Sequence, residues 1–262
     1  MARWTLRLVA LAYLALLLVI PLGIIVNRTF ENGAGAVWDS LNEPLARHAF
    51  QVTLQVALWS VLLNTIFGVG AALLIVRYDF PGKRIFNALI DLPLAVSPVV
   101  VGLALILVYG RLTPVGSWFG DQGIDIIFAL PGMVMATAFV SLPLMVREVV
   151  PVLEEIGVEQ EQAAWTLGAS GWQTFRRITF PSIRWAVAYG LVLTLARSLG
   201  EFGAVAVVSG RIVGKTQTIT LYVQQHFENF DKTGAYAASF ALAAIAVVVL
   251  LIMNLLRPKE DR

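Results

Sequence analysis

Two charged residues, Arg197 and Glu201, stand four positions apart inside an otherwise apolar run. Each costs about 2.5–3.5 kcal/mol at a bilayer centre on insertion scales. Such residues therefore turn inward, pair, and often mark a pathway. A helix over 183–208 would set Arg197 and Glu201 on one face, with Thr194 and Ser198 completing a polar stripe. Two readings follow. The stripe is an intrahelical ion pair that stabilises packing or a subunit interface, or it lines a route for an anion. An Arg half neutralised by Glu201 is a poor permanent trap, which is what a route requires.

A second polar position is Ser97, flanked by Pro93 and Pro98 in another apolar run. Proline frees backbone carbonyls and kinks a helix, so Ser97 either sits on a pore wall or bonds its own backbone. Asp91 reads as an interfacial or helix-packing carboxylate, and Asn64 and Thr65 suit helix–helix hydrogen bonds. No Ser-His-Asp set, metal cluster or paired-carboxylate pocket is evident. With no cysteine, disulfides, thiolate metal sites and a Cys nucleophile are excluded. His48 and His226 are far apart and read as surface or interface histidines. A phosphate-binding loop needs Gly, four residues, then Gly-Lys-Ser/Thr. Ser209-Gly210-Arg211-Ile212-Val213-Gly214-Lys215-Thr216 fails at its first position, and Gly210 and Gly214 read instead as bends in a loop.

The elements that carry these residues belong in lipid. Of 262 residues 58% are hydrophobic and 14% charged, with mean hydropathy +0.78; a soluble domain carries about 25% charged residues. Crossing about 30 Å of hydrocarbon takes about 20 apolar residues. Six segments qualify: about 6–26, 52–76, 85–109, 126–146, 183–208 and 235–256. The first is read as a retained helix rather than a cleaved signal, because its apolar run is too long. The remaining loops are too short for separate domains, so the expectation is one all-α transmembrane domain over 1–262.

Lys and Arg distribution orients it. Arg3, Arg7, Arg77, Lys83, Arg84, Arg147, Arg176, Arg177, Arg184, Arg257, Lys259 and Arg262 flank one side. Arg28, Arg47, Arg111, Arg211, Lys215 and Lys232 flank the other. By the positive-inside rule both termini are cytoplasmic, and so is the polar island at about 147–182.

That island is built as structure. Glu154, Glu155, Glu159, Glu161, Gln162, Ala163 and Ala164 favour a helix. Gly168 is placed to end it in a left-handed cap, and Ser170 with Gln173 matches a capping box for a second helix. Phe175 and Ile178 give that helix an apolar face, and Pro181 marks its limit. Small Ala163, Ala164, Gly168 and Ala169 allow another surface close approach. The island is a docking surface, or an amphipathic hairpin on the headgroups with Arg176 and Arg177 on lipid phosphates.

The segment resembles the EAA loop of ABC importer permeases. Gln162, Ala163, Ala164, Gly168, Ile178 and Pro181 fall on the motif positions, with Gln162 in place of the motif Glu and Glu161 just before it. DLPLAVSPVVVGL (91–103), PGMVMATAFVSLPLMVRE (131–148) and ARSLGEFGAVAVVSGRIVGKTQTITLYV (196–223) are similar to the sulfate and thiosulfate branch, most of all its W-type subunits. The resemblance covers roughly residue 52 to the C-terminus. It implies a type I importer fold, with Glu161, Gln162, Ala163, Ala164, Gly168, Ala169, Ser170 and Phe175 in the ATPase-docking loop. Ser97, Thr194, Arg197, Ser198 and Glu201 are translocation-path candidates. It also implies a heterodimer with a T-type permease subunit, two ATPase subunits that bind ATP and Mg, and an extracytoplasmic sulfate-binding protein. No cofactor or metal is expected on this chain. A molybdate or tungstate permease of the same fold is the near alternative. A stand-alone secondary transporter or channel would have no need of the loop.

Overall fold

The computed structural model describes residues 2–256 and, except at 2, 3, 18 and 253–256, their side chains. Arg257, Lys259 and Arg262, counted in the charge asymmetry, lie outside the described residues. Helices account for the regular structure: α1 Trp4–Thr29, α2 Gly33–Asn42, α3 Pro44–Arg77, α4 Lys83–Ala95, α5 Pro98–Tyr109, α6 Pro114–Asp121, α7 Leu130–Glu155, α8 Glu159–Thr166, α9 Gly171–Leu199, α10 Gly203–Val208, α11 Ile219–Glu228 and α12 Lys232–Leu256. Single π turns interrupt α1 at Ala15–Val19 and α9 at Phe175–Thr179. Among the described residues five helices are long and apolar enough to cross a bilayer, or six spans when the bent pair α4–α5 is counted as one.

The centre of the bundle is the contact of α3, α7 and α9. Met145 of α7 lies between two glycines. A Cβ on Gly68 of α3 would stand 2.6 Å from Met145 Cγ, and one on Gly190 of α9 would stand 2.8 Å from its sulfur. Those glycines let three helices close on one flexible side chain. Around it Val146, Val149, Leu153, Ala72 and Ile183 are fully buried. Polar groups pin the same contact. Asn64 donates to the Ala138 carbonyl at 3.0 Å and to Ser141 Oγ at 2.8 Å, and Ser60 donates to the Val134 carbonyl at 3.2 Å. Asn64 thus bonds between helices as its type suggests, whereas Thr65 turns back to its own helix at Val61.

Two expected spans are not continuous. The run 85–109 bends by 114° between α4 and α5. Pro98 is the cause: it disfavours helical backbone at Ser97, which sits at ψ 133°, and it opens α5 where its missing N–H costs nothing. Pro93, by contrast, stays inside α4. The run 183–208 breaks after Leu199, and Gly200, Glu201 and Phe202 connect α9 to the short α10. The two breaks adjoin. A Cβ on Gly203 would lie 3.1 Å from Pro98 Cβ, and one on Gly102 would lie 2.7 Å from the Ala204 carbonyl. Small residues on α5 and α10 therefore bring the two half-helices into backbone contact.

The polar island also departs from a two-helix hairpin. α7 runs on to Glu155, through Pro143 and Pro151. Pro181 does not limit the helix that Ser170 opens: α9 continues from Gly171 to Leu199. The π turn just before Pro181 widens the helix where the ring and its missing N–H would otherwise break the ladder.

Candidate functional site

The first site is built at the end of α9. Arg197 Nη1 lies 2.7 Å from Glu201 Oε2, as the spacing suggests. Glu201, however, is past the end of the helix rather than on its face. Its side chain is 2% exposed, and Oε1 accepts the Ala204 N–H at 2.9 Å, closing the start of α10. Its own carbonyl accepts Thr220 Oγ1 of α11 at 3.0 Å. One acidic residue therefore joins the end of α9, the start of α10 and α11. Arg197, by contrast, is 37% exposed and has no other partner among the described residues. The expected stripe is divided accordingly. Thr194 and Ser198 are buried inside the bundle, and their hydroxyls, like that of Thr137, have no hydrogen-bond partner among the described residues. Arg197 on the same stretch is half-buried. Ser97 is exposed at the neighbouring break and makes no capping bond with its side chain.

The second site is the polar loop. Glu161 is its internal anchor. The carboxylate is buried, accepting Arg77 Nε at 3.0 Å, Arg77 Nη2 at 3.3 Å and Thr179 Oγ1 at 2.8 Å. Arg77 also donates to the carbonyls of Leu153 at 3.0 Å and Gly157 at 2.7 Å. This single network ties the ends of α3 and α7 to α8 and to the π turn of α9. Arg77 and Thr179 were not singled out in the sequence. A basic residue at a span end carries the orientation signal, which masks its role as a specific partner.

Beyond that anchor the loop follows its local signals. Gly168 adopts φ 83°. Ala169 N–H donates to the Ala164 carbonyl at 3.0 Å and Gly168 N–H to Trp165 at 2.9 Å, a Schellman closure of α8. Ser170 and Gln173 form the capping box. Gln162, Ala163, Gly168 and Ser170 are exposed, Ala169 is half-buried and Ala164 buried. Phe175 is half-buried, stacks on Trp172 with centroids 5.7 Å apart, and packs against the core cluster that holds Met145. Ala164, Leu167, Gly168, Ala169, Gln173, Thr174, Arg177 and Ile178 line a groove of about 420 Å³. Beside it Leu167 is 89% exposed and Trp172 69%. Large apolar side chains displayed at the polar end of a bundle mark an interaction surface.

Other polar groups are taken up by the fold. Asp91 holds Arg147, with Nε to Oδ1 at 2.8 Å, and Asn87 accepts from the same guanidinium, joining α4 to α7. His226 pairs with Asp231 at 2.6 Å, and His48 Nε2 lies 3.5 Å from the Lys215 carbonyl. In the stretch 209–216, Gly210 and Gly214 take positive φ, and Thr216 Oγ1 donates to the Ser209 carbonyl at 2.6 Å. The hydroxyl that a phosphate loop would offer to magnesium closes a turn here.

A helical bundle with five or six candidate spans, two helix breaks that meet within it and a structured polar loop at one end is a multi-pass membrane protein. Residues 64–262, more than half of the chain, match the family described as binding-protein-dependent transport system inner membrane component, and the chain belongs to that family. It is 46% identical to the sulfate transport system permease protein CysW of Synechocystis sp., over 98% of this chain and 93% of that protein. It is 41% identical to the CysW protein of Escherichia coli K12, over 97% and 88%. It is also similar to sulfate permease 2, chloroplastic, of Chlamydomonas reinhardtii, at 43% over 94% and 67%. Among solved structures, a bacterial ABC transporter involved in the import of the acidic polysaccharide alginate superposes with TM-score 0.81 at 19% identity, covering 99% of this chain and 96% of that one. At that identity the likeness shows the fold, which is that of an ABC-importer transmembrane subunit.

Proposed function

We propose that this chain is one of two membrane-spanning subunits of an ATP-driven importer of sulfate and thiosulfate. The near full-length identity to sulfate permeases carries this reading. Both termini and the loop at 147–182 face the cytoplasm, in line with the Lys and Arg distribution. The whole chain acts as one permease domain. A T-type sulfate permease is its partner in the bilayer, a sulfate-binding protein delivers the anion from outside, and two ATPase subunits bind ATP and Mg. This chain carries no ATPase site of its own.

The exposed part of the loop is the docking surface. Trp165, Leu167 and Trp172 supply apolar contact area. Gln162, Ala163, Gly168, Ala169 and Ser170 let a partner's surface come close. Glu161, buried on Arg77 and Thr179, acts beneath that surface: it fixes α8 to α3, α7 and α9, so that a push on the loop moves three spans together. Phe175 likewise ties the loop to the core. At the other end of those spans lie the helix breaks, and their rearrangement opens the cavity alternately to the two sides. Ser97 and Arg197 border that cavity, with Thr194, Ser198 and Glu201 behind them.

The test is co-purification of the complex, then ATP-dependent uptake of radiolabelled sulfate and molybdate into proteoliposomes. Sulfate uptake that needs both ATP and the binding protein is expected. Preference for molybdate, or uptake without an ATPase, would replace this reading.

A further inference from the structure

We infer that Glu201 is an attenuator of Arg197: its buried carboxylate holds the guanidinium ready for a tetrahedral oxyanion while cancelling enough charge that the anion does not stay. The inference rests on the reading of this chain as an oxyanion permease. The observation beneath it is an asymmetry within one ion pair. Glu201 is 2% exposed and each oxygen is engaged, one by Arg197 and one by the Ala204 N–H. Arg197 is 37% exposed and meets Glu201 as an ion pair, Nη1 to Oε2 at 2.7 Å. A guanidinium has five N–H donors in a rigid fork. Glu201 sits beside Nη1, and the partly exposed guanidinium keeps donors for a further ligand.

Within a membrane-spanning helix a cation with open donors does not face hydrocarbon; it faces a polar cavity or a partner. Its position beside the adjoining helix breaks places it where the bundle interior is irregular. The fork matches two oxygens of a tetrahedral dianion. Without Glu201 such a contact in a low-dielectric site would be strong, and release slow. With Glu201 at 2.7 Å the pair is nearly neutral in sum, so the anion meets directional donors without a full unbalanced charge. Glu201 does not touch the anion; it is a positioning residue that acts through Arg197.

Glu201→Gln tests this cleanly, because the amide oxygen can still accept the Ala204 N–H while the negative charge is gone. The assembled complex, without binding protein, is measured for equilibrium retention of radiolabelled sulfate and for ATP-driven turnover in proteoliposomes. Retention is expected to tighten about tenfold, the effect of 1.4 kcal/mol, while turnover falls by a similar factor. Unchanged retention overturns the inference. If that variant does not assemble, Arg197→Gln carries the test: retention per assembled complex should fall at least about tenfold, the same 1.4 kcal/mol, and unchanged retention overturns it. If Arg197→Gln instead separates the two permease subunits while retention per remaining complex stays the same, the guanidinium belongs to the interface and the inference fails. A wild-type complex that transports no oxyanion refutes the functional reading itself; a transporting wild type with an insensitive Glu201→Gln refutes this inference alone.

Discussion

At the residue scale, burial rather than charge decides which ion pairs matter. Glu161 and Arg77 have side chains only 8% and 10% exposed, whereas Glu31 and Arg28 are 57% and 55% exposed. Removing one partner of a buried pair strands the other, at about 3–5 kcal/mol; an exposed pair is worth about 0–1 kcal/mol. Glu161→Ala should therefore lower the thermal midpoint of the purified complex and speed proteolysis within the loop. Glu31→Gln should leave the midpoint nearly unchanged. Equal shifts would show that the Glu161 network does not anchor the loop. Gly168 poses a different question. A Cβ there meets nothing within 4 Å, but φ is 83°. Gly168→Ala should cost about 1–2 kcal/mol through backbone strain, seen as faster hydrogen exchange at Leu167–Ser170. No change in exchange would refute the cap argument.

At the element scale, the length and existence of the spans are legible in the apolar runs, and their continuity is not. Hydropathy sums residues without regard to direction, so it reads 85–109 and 183–208 as single helices. Local chemistry held the better signal. Pro98 after Ser97 announces one break. The other lies at Gly200-Glu201-Phe202, where a carboxylate four residues after an Arg reads as a helical pair; it is Glu201's capping of Ala204 N–H that ends that reading. The Gly168 closure and the Ser170 box were legible because each motif is complete within a few residues. The Arg77–Glu161 contact was not, since it spans 84 positions and neither residue has a local pattern. The contact of α5 with α10 gives a prediction of its own. Gly102→Ala sets a methyl 2.7 Å from a backbone oxygen, and overpacking of this kind costs about 1–3 kcal/mol. Its thermal midpoint should fall, while Gly70→Ala, with nothing within 4 Å, should not destabilise. A neutral Gly102→Ala would mean the breaks do not meet as described.

At the scale of the whole molecule, topology and energy coupling are one question. The chain has no cysteine, so single cysteines report sidedness without background. A cysteine at the exposed Gln162 should label only when the cytoplasmic face is accessible, and one at the exposed Gln122 only from outside. Labelling of Gln162 from outside and of Gln122 only from the cytoplasmic face would reverse the orientation. On the proposed reading the loop is where a partner's ATP cycle enters, through a network that links three spans. The most direct measurement is ATP hydrolysis and radiolabelled sulfate uptake, read together in proteoliposomes holding the full complex with Gly168→Trp. The bulky residue projects from the exposed face of the loop into open space, away from the fold's own core. The account predicts normal membrane insertion, with uptake lost and no longer matched to hydrolysis. Uptake coupled to ATP as in the wild type would contradict it.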